Sequence, residues 1–372
     1  MESTSKDKLI EERFKTLKQR PDFEQRWAEE KEKRYHLLSI GQLVGKQFGW
    51  DLRKIEDWCF EQGFDGLEIR LQDSDFFKEI GQLNGLAKFK PRGILTVHLS
   101  DWAMWLDFYL QRQEALMKKF NTKENIIKYF GDNDPTVLVK RLAVELDLAK
   151  SLGARAATWH AMNIDYNEIL FDEPAYADNE IIDIVQMLIA EIININQTSA
   201  NLLSIENGSS VDRGIRRFAE YQRLFASKSL AGVGITFDTA HRAATLLQER
   251  DQTIPVDNLI AQELKDNPDL VSRIRLVHLS DTLPGSALKK SISQEQLEKA
   301  NNDFWYKRVL VRDVVIDDHV PLGFVIKSGK KILDSISQNR QDKVIVVSEL
   351  RHESFASLEK AIIIQKYNLC YD

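Results

Sequence analysis

Short apolar runs rich in β-branched residues alternate with stretches of helical periodicity from residue 35 onward. The runs fall at 35–41, 66–70, 94–100, 156–162, 202–208, 233–239, 274–280 and 343–350. Most are apolar at successive positions rather than at every second one, which suits strands covered on both faces. Between them, 51–63 ends on Gly63, and 135–153 opens on Pro135 and ends on Gly153. Proline favours the first position of a helix and glycine the position just past its end. Further helical patterns occupy 179–196, 211–228 and 354–367. Eight strands with intervening helices predict an α/β fold, a closed (β/α)8 TIM barrel over 35–372. Residues 1–34 are more than half charged and carry Leu9, Ile10, Phe14 and Leu17 at near-helical spacing. They predict a helical N-terminal extension, broken near Pro21. Two connections are long: 101–134 after the third strand and 282–316 after the seventh. Both leave from the end of the barrel that carries active sites, and one or both are expected to act as a lid.

Ionisable side chains recur at that same end. His98 closes the third run, His160 the fourth and Glu206 the fifth; Asp238 and His241 follow the sixth, His278 the seventh and Glu349 the eighth. An ionisable group inside a dry barrel is costly unless paired or bound to a cation. One such residue is an ordinary core histidine; six strands ending in His, Glu or Asp point to ligands of a divalent cation. Zinc comes first, with manganese, iron or cobalt as alternatives. Glu206, Asp238, His278 and Glu349 form the tightest set. His98 and His160 lie on the other side of Glu206, whose carboxylate could bridge two ions. His241, three residues beyond Asp238, needs partners of its own. Asp317 and His319, in IDDHVPLG, place two ligand types on one side of an extended segment. One to three ions per chain are expected. Arg70, Arg242 and Arg351 flank these candidates, and Trp102 lies in the first long connection. All four are candidate substrate contacts, the arginines for phosphate or carboxylate groups. His36 stands at the opposite end of the first strand and is left out of the set. His352 reads equally as a second layer behind Glu349 or as a surface residue.

Composition narrows the partners. The 372 residues suit one such barrel plus extensions. A net charge of −6 gives no overall basic field, so nucleic acid is a less favoured partner than a small molecule. The two cysteines, Cys59 and Cys370, are far apart and imply no disulfide framework, in keeping with a cytoplasmic location. No apolar core of a signal peptide is read near the N-terminus. No apolar run approaches the ~20 residues of a membrane span.

With these residues in place, the chain resembles the xylose isomerase-like TIM-barrel superfamily, or AP endonuclease family 2, over about residues 35–366. The ligand order is similar to that of endonuclease IV: His98, His160, Glu206 in IEN, Asp238 and His241 in DTAH, His278 in HLSD, Asp317 and His319 in DDHVPLG, then Glu349. That resemblance implies one ion on His98, His160 and Glu206. A second would sit on Glu206, Asp238, His278 and Glu349, and a third on His241, Asp317 and His319. The chain departs from endonuclease IV in its first strand, where YHLLSIGQLVG replaces a glycine-rich start. It departs again around His160 and after Gly323, so DNA-gripping loops are not recognisable. The preferred expectation is a multinuclear phosphoester hydrolase. The alternative is a sugar or polyol isomerase or epimerase, in which Glu206 and Glu349 exchange a proton on substrate carbon and His241 binds a substrate oxygen. A lesser alternative is a non-catalytic metal-binding barrel. Oligomeric state is not readable.

Overall fold

All eight apolar runs form strands. They are β1 Arg34–Ile40, β2 Gly66–Arg70, β3 Ile94–His98, β4 Ala157–Trp159, β5 Leu203–Glu206, β6 Gly234–Asp238, β7 Ile274–Leu279 and β8 Val344–Ser348. Every pairing is parallel, and β8 pairs with β1, so the sheet closes into a barrel in sequence order. The computed structural model describes residues 6–17, 20–71, 86, 88–171, 176–197, 199–209, 211–249, 254–283, 292–314, 319–338 and 340–371.

Side chains on a strand alternate between faces, so i and i+2 share one side. That rule sorts the barrel interior into layers. Leu37, Ala156, Leu276, Ile345 and Val347 form a small apolar cluster. Two residues further along their strands stand Ser39, Thr158, His278 and Glu349, and Glu68 and Thr96 share the same inward face. The inside of the barrel therefore changes from apolar to polar toward its C-terminal end. The outward residues of the same strands, among them Leu38, Ile69, Val97 and Val346, join the large core beneath the helices.

The helices begin and end where local chemistry dictates. Asp51 caps Leu52–Glu61 by accepting from the amides of Arg53 and Lys54 at 3.0 and 3.2 Å. Gly153 follows Thr136–Ser151 with φ of +74°, a conformation that costs glycine little. The pattern over 211–228 is helical only at Phe218–Leu224. Its first part instead folds back onto the loop after β4, where Asn163 and Arg213 form an antiparallel bridge.

The N-terminal extension is two helices, Lys6–Thr16 and Phe23–Lys33. Ile10 is fully buried, and Tyr371 of the last helix, Phe355–Tyr371, donates to Asp22 at 2.8 Å. His352 lies in this seam, 4.0 Å from Asp7, with its imidazole shielded from solvent. It belongs neither to the surface nor to the layer behind Glu349. Burial pushes its pKa down to about 4, with Lys6 adding to the effect. A buried imidazole that stays neutral makes folding less favourable once the unfolded form can take up a proton. Stability that is full above pH ~6.5 should fall as pH drops toward 4, by about 1–3 kcal/mol. Urea unfolding at pH 7.5 and 5 should show this loss reduced in His352→Leu. An equal loss in both proteins would refute it.

Both long connections fold into helices. The first contains Trp105–Tyr109, Gln113–Phe120 and Lys123–Phe130, and the second Gln294–Asn302 and Phe304–Val314. They pack on one another. The Phe120 and Phe304 rings are 4.4 Å apart, and the Trp305 indole donates to Asn125 at 2.9 Å. Buried Lys307 donates to Asn167 at 3.0 Å and to the Lys119 carbonyl at 3.2 Å. β3 and β7 stand opposite one another in a closed eight-stranded barrel, so these insertions meet across its C-terminal end. Among the described residues, no helix is long and apolar enough to cross a membrane.

Candidate metal centre

The inward face of β5 to β8 ends in Glu206, Asp238, His278 and, one residue past β8, Glu349. Each is at most 3% exposed. One donor atom from each lies within 4.8 Å of all the others. His278 Nδ1 stands 2.7 Å from Glu206 Oε1, 3.1 Å from Glu349 Oε2 and 3.9 Å from Asp238 Oδ2. Donors held at ~2.0–2.3 Å from one ion are themselves separated by roughly 3–4.6 Å. Asp238 Oδ2 is buried and makes no hydrogen bond. An orphaned carboxylate oxygen among converging donors fits a divalent cation.

The electrostatics agree. Burial alone would raise the Glu206 and Glu349 carboxyls. Instead His278 and His98 hold Glu206, and Arg70 and His319 hold Glu349, well below the usual carboxylate range. Burial alone would lower His278, but Glu68 and Glu206 raise it well above the usual imidazole value. Asp238 goes the other way: burial, with the charges of Glu206 and Glu349, pushes its carboxyl up. The cluster carries more negative charge than its imidazoles neutralise, as a cation site should.

A second group, Asp238, His241 and His319, also converges within 4.8 Å. It includes Asp238 where the sequence pointed to Asp317, and Asp317 lies outside the described residues. The His241 amide donates to Asp238 Oδ1 at 2.7 Å. Asn207 clamps the turn, donating to the Asp238 carbonyl at 3.0 Å and accepting from its amide at 2.8 Å. His319 Nδ1 lies 2.8 Å from the Ser280 hydroxyl. Its loop is seated on Asp281, whose carboxylate accepts from the amides of Thr282, Gly323, Phe324, Val325 and Ile326 at 2.7–3.1 Å.

The remaining candidates divide. His98 Nε2 reaches Glu206 Oε2 at 3.1 Å. His160 does not join it: its Nε2 stands 3.6 Å from Asp212, and its ring is 5.5 Å from that of His241. Arg70 pairs with Glu349, and Arg351 Nη2 approaches the same carboxylate at 3.0 Å. Arg242 faces away from the cluster, gripping Glu263 with two hydrogen bonds of 2.6 and 2.8 Å. One residue past His241 is a rotation of ~100° on a helix, enough to turn the guanidinium outward. Trp102 is half-buried against the core. His36 is buried beside Trp27 and Glu30, at the other end of the barrel. Sequence reasoning missed Glu68, Asn207, Asp212 and Asp281. Glu68 had a signal: an acid in a five-residue strand, two positions before Arg70 and so on the same inward face.

No protein-family model matches the chain, and no curated protein matches it in sequence. Solved structures do match in fold. A D-tagatose 3-epimerase-like protein aligns with TM-score 0.51 and 15% identity, over 90% of this chain and 97% of its own. An L-ribulose 3-epimerase aligns with TM-score 0.51 and 10% identity, over 90% of this chain and 91% of its own. The closed eight-stranded parallel (β/α)8 barrel is the fold shared with these structures.

Proposed function

We propose that the chain is a divalent-cation-dependent isomerase or epimerase acting on a small sugar-like molecule. The observation that carries this is the four-donor cluster at the ends of β5 to β8, in which Glu206 and Glu349 approach His278 from non-adjacent strands. A cation bound there, with zinc first among the candidates, would polarise a substrate carbonyl and acidify the adjacent C–H. Glu206 and Glu349 both flank His278, at 2.7 and 3.1 Å, and form the acid–base pair of this reading. One carboxylate takes the proton from carbon while the other, entering the turnover protonated, delivers one to the opposite face, so that the two groups exchange protonation states with no net gain or loss of atoms or electrons. Arg70 offsets the charge of Glu349 and orients it. The mutually packed insertions favour a small substrate by restricting water and bulk at the barrel mouth.

A multinuclear phosphoester hydrolase is the second reading. The additional group of Asp238, His241 and His319 favours it, as does His98 beside Glu206. Two measurements separate the readings. Elemental analysis of protein purified without chelator gives ions per chain. NMR of ketopentoses and ketohexoses in D₂O reports deuterium entering the carbon beside the carbonyl. One ion with exchange is expected. Three ions, no exchange with any sugar and turnover of an aryl phosphodiester would replace the proposal by the second reading.

A further inference from the structure

We propose that Glu68 is a positioning residue for His278, fixing which ring nitrogen faces the cation. This rests on the four-donor cluster being a cation site. Glu68 sits in the middle of β2 and is fully buried. Its Oε1 accepts from the Ser39 hydroxyl at 3.0 Å, and its Oε2 accepts from the Thr96 hydroxyl at 3.2 Å. That same Oε2 lies 3.1 Å from His278 Nε2. On the other side of the ring, Nδ1 faces Glu206 and Glu349 at 2.7 and 3.1 Å. The imidazole thus stands between one carboxylate below and the cluster above, each addressing a different nitrogen.

The residue's presence needs a reason. An ionised carboxylate costs several kcal/mol to bury, and a well-packed apolar side chain would serve the barrel as well. Ser39, Thr96 and His278 come from β1, β3 and β7, and all three turn a polar atom toward it. An ionised carboxylate only accepts, so the nitrogen facing it, Nε2, is the one that carries the ring hydrogen. With a cation bound in the cluster, Nδ1 would then be the nitrogen that presents its lone pair to it. Partners of this kind typically matter 10–100-fold in metal affinity, because the wrong tautomer cannot ligate. Glu68 is not in the converging donor group itself. It acts through the imidazole.

The test uses the full chain. With seven histidines, ¹⁵N-histidine labelling of the zinc-loaded protein makes the tautomer of each ring readable by NMR. His278, assigned by loss of its signal in His278→Gln, should carry its proton on Nε2; a proton on Nδ1 would overturn the proposal. Cobalt titration followed by its visible spectrum gives affinity without relying on turnover. Glu68→Gln should bind cobalt about 10–100-fold more weakly. Glu68→Asp, which keeps the charge but withdraws it from the ring, should also weaken binding. Lower thermal stability with unchanged cobalt affinity in both variants would reduce Glu68 to a structural residue. If the variants fail to fold, the wild-type tautomer still decides. Should wild-type protein bind no cobalt, it is the cation site that fails. Binding without proton exchange sinks the catalytic proposal and leaves Glu68 standing.

Discussion

Replacing Glu206 with glutamine should lower proton exchange on substrate by about 10²–10⁴-fold, the range that a positioned acid–base group supplies. Glu206 is shared between two imidazoles. Its Oε1 lies 2.7 Å from His278 Nδ1 and its Oε2 lies 3.1 Å from His98 Nε2. Glutamine keeps the volume but loses the charge and cannot act as a base. It also turns an N–H₂ toward one of two imidazoles that now face a carboxylate. Metal affinity should therefore fall with exchange, which distinguishes Glu206 from a group that only moves a proton. Deuterium exchange and cobalt titration on the same protein check both parts. Exchange at the wild-type rate would remove Glu206 from the chemistry. Normal exchange with weakened binding would leave it a ligand alone. Its partner position predicts a different pattern: Glu349 is offset by Arg70 and Arg351 as well as by His278, so the charge lost in Glu349→Gln uncovers two guanidinium groups beside one imidazole.

The eight strands were legible because a parallel strand buried on both faces is short and apolar, and these runs recur at intervals that leave room for a helix between them. The converging set of candidate donors was legible for a related reason. Glu206, Asp238, His278 and Glu349 interrupt the apolar texture where each strand ends, and a closed barrel makes those ends neighbours. What escaped detection depends on folding back or on rotation. His160 faces Asp212 because the segment after β5 returns to bridge Asn163 and Arg213, a contact between loops that no periodicity encodes. Arg242 follows His241 directly in sequence but points to Glu263, since a helix separates adjacent residues by ~100°. Glu68 stands in the middle of its strand rather than at its end, where only the period-2 rule marks it as inward-facing. The helices within both insertions carry mostly charged outer faces, and their aromatic residues find each other only in three dimensions.

Asp281 should prove the most structurally demanding carboxylate in the loop region. Five backbone amides converge on it, four of them from consecutive residues, Gly323 to Ile326. Gly323 makes that turn possible: its φ is +107°, and a Cβ there would meet the guanidinium of Arg13 and the amide of Asn368. Removing the carboxylate in Asp281→Ala leaves several buried N–H groups without an acceptor. Each costs ~1–3 kcal/mol, and with partial rescue by water the total should reach roughly 3–5 kcal/mol. The damage should spread to function along a defined route. Val320 and Asp281 exchange both backbone hydrogen bonds, at 2.7 and 3.0 Å, so loosening this loop moves His319 away from Asp238 and His241. The four donors are carried by β5 to β8 rather than by that loop, although Asp238 belongs to both groups. In Asp281→Ala, urea unfolding should show the loss of stability, and any second ion should be lost while the first is retained. A variant as stable as the wild type would mean that the ring of amides is satisfied by other acceptors. Loss of every ion together would mean that the loop and the barrel cluster form one indivisible centre.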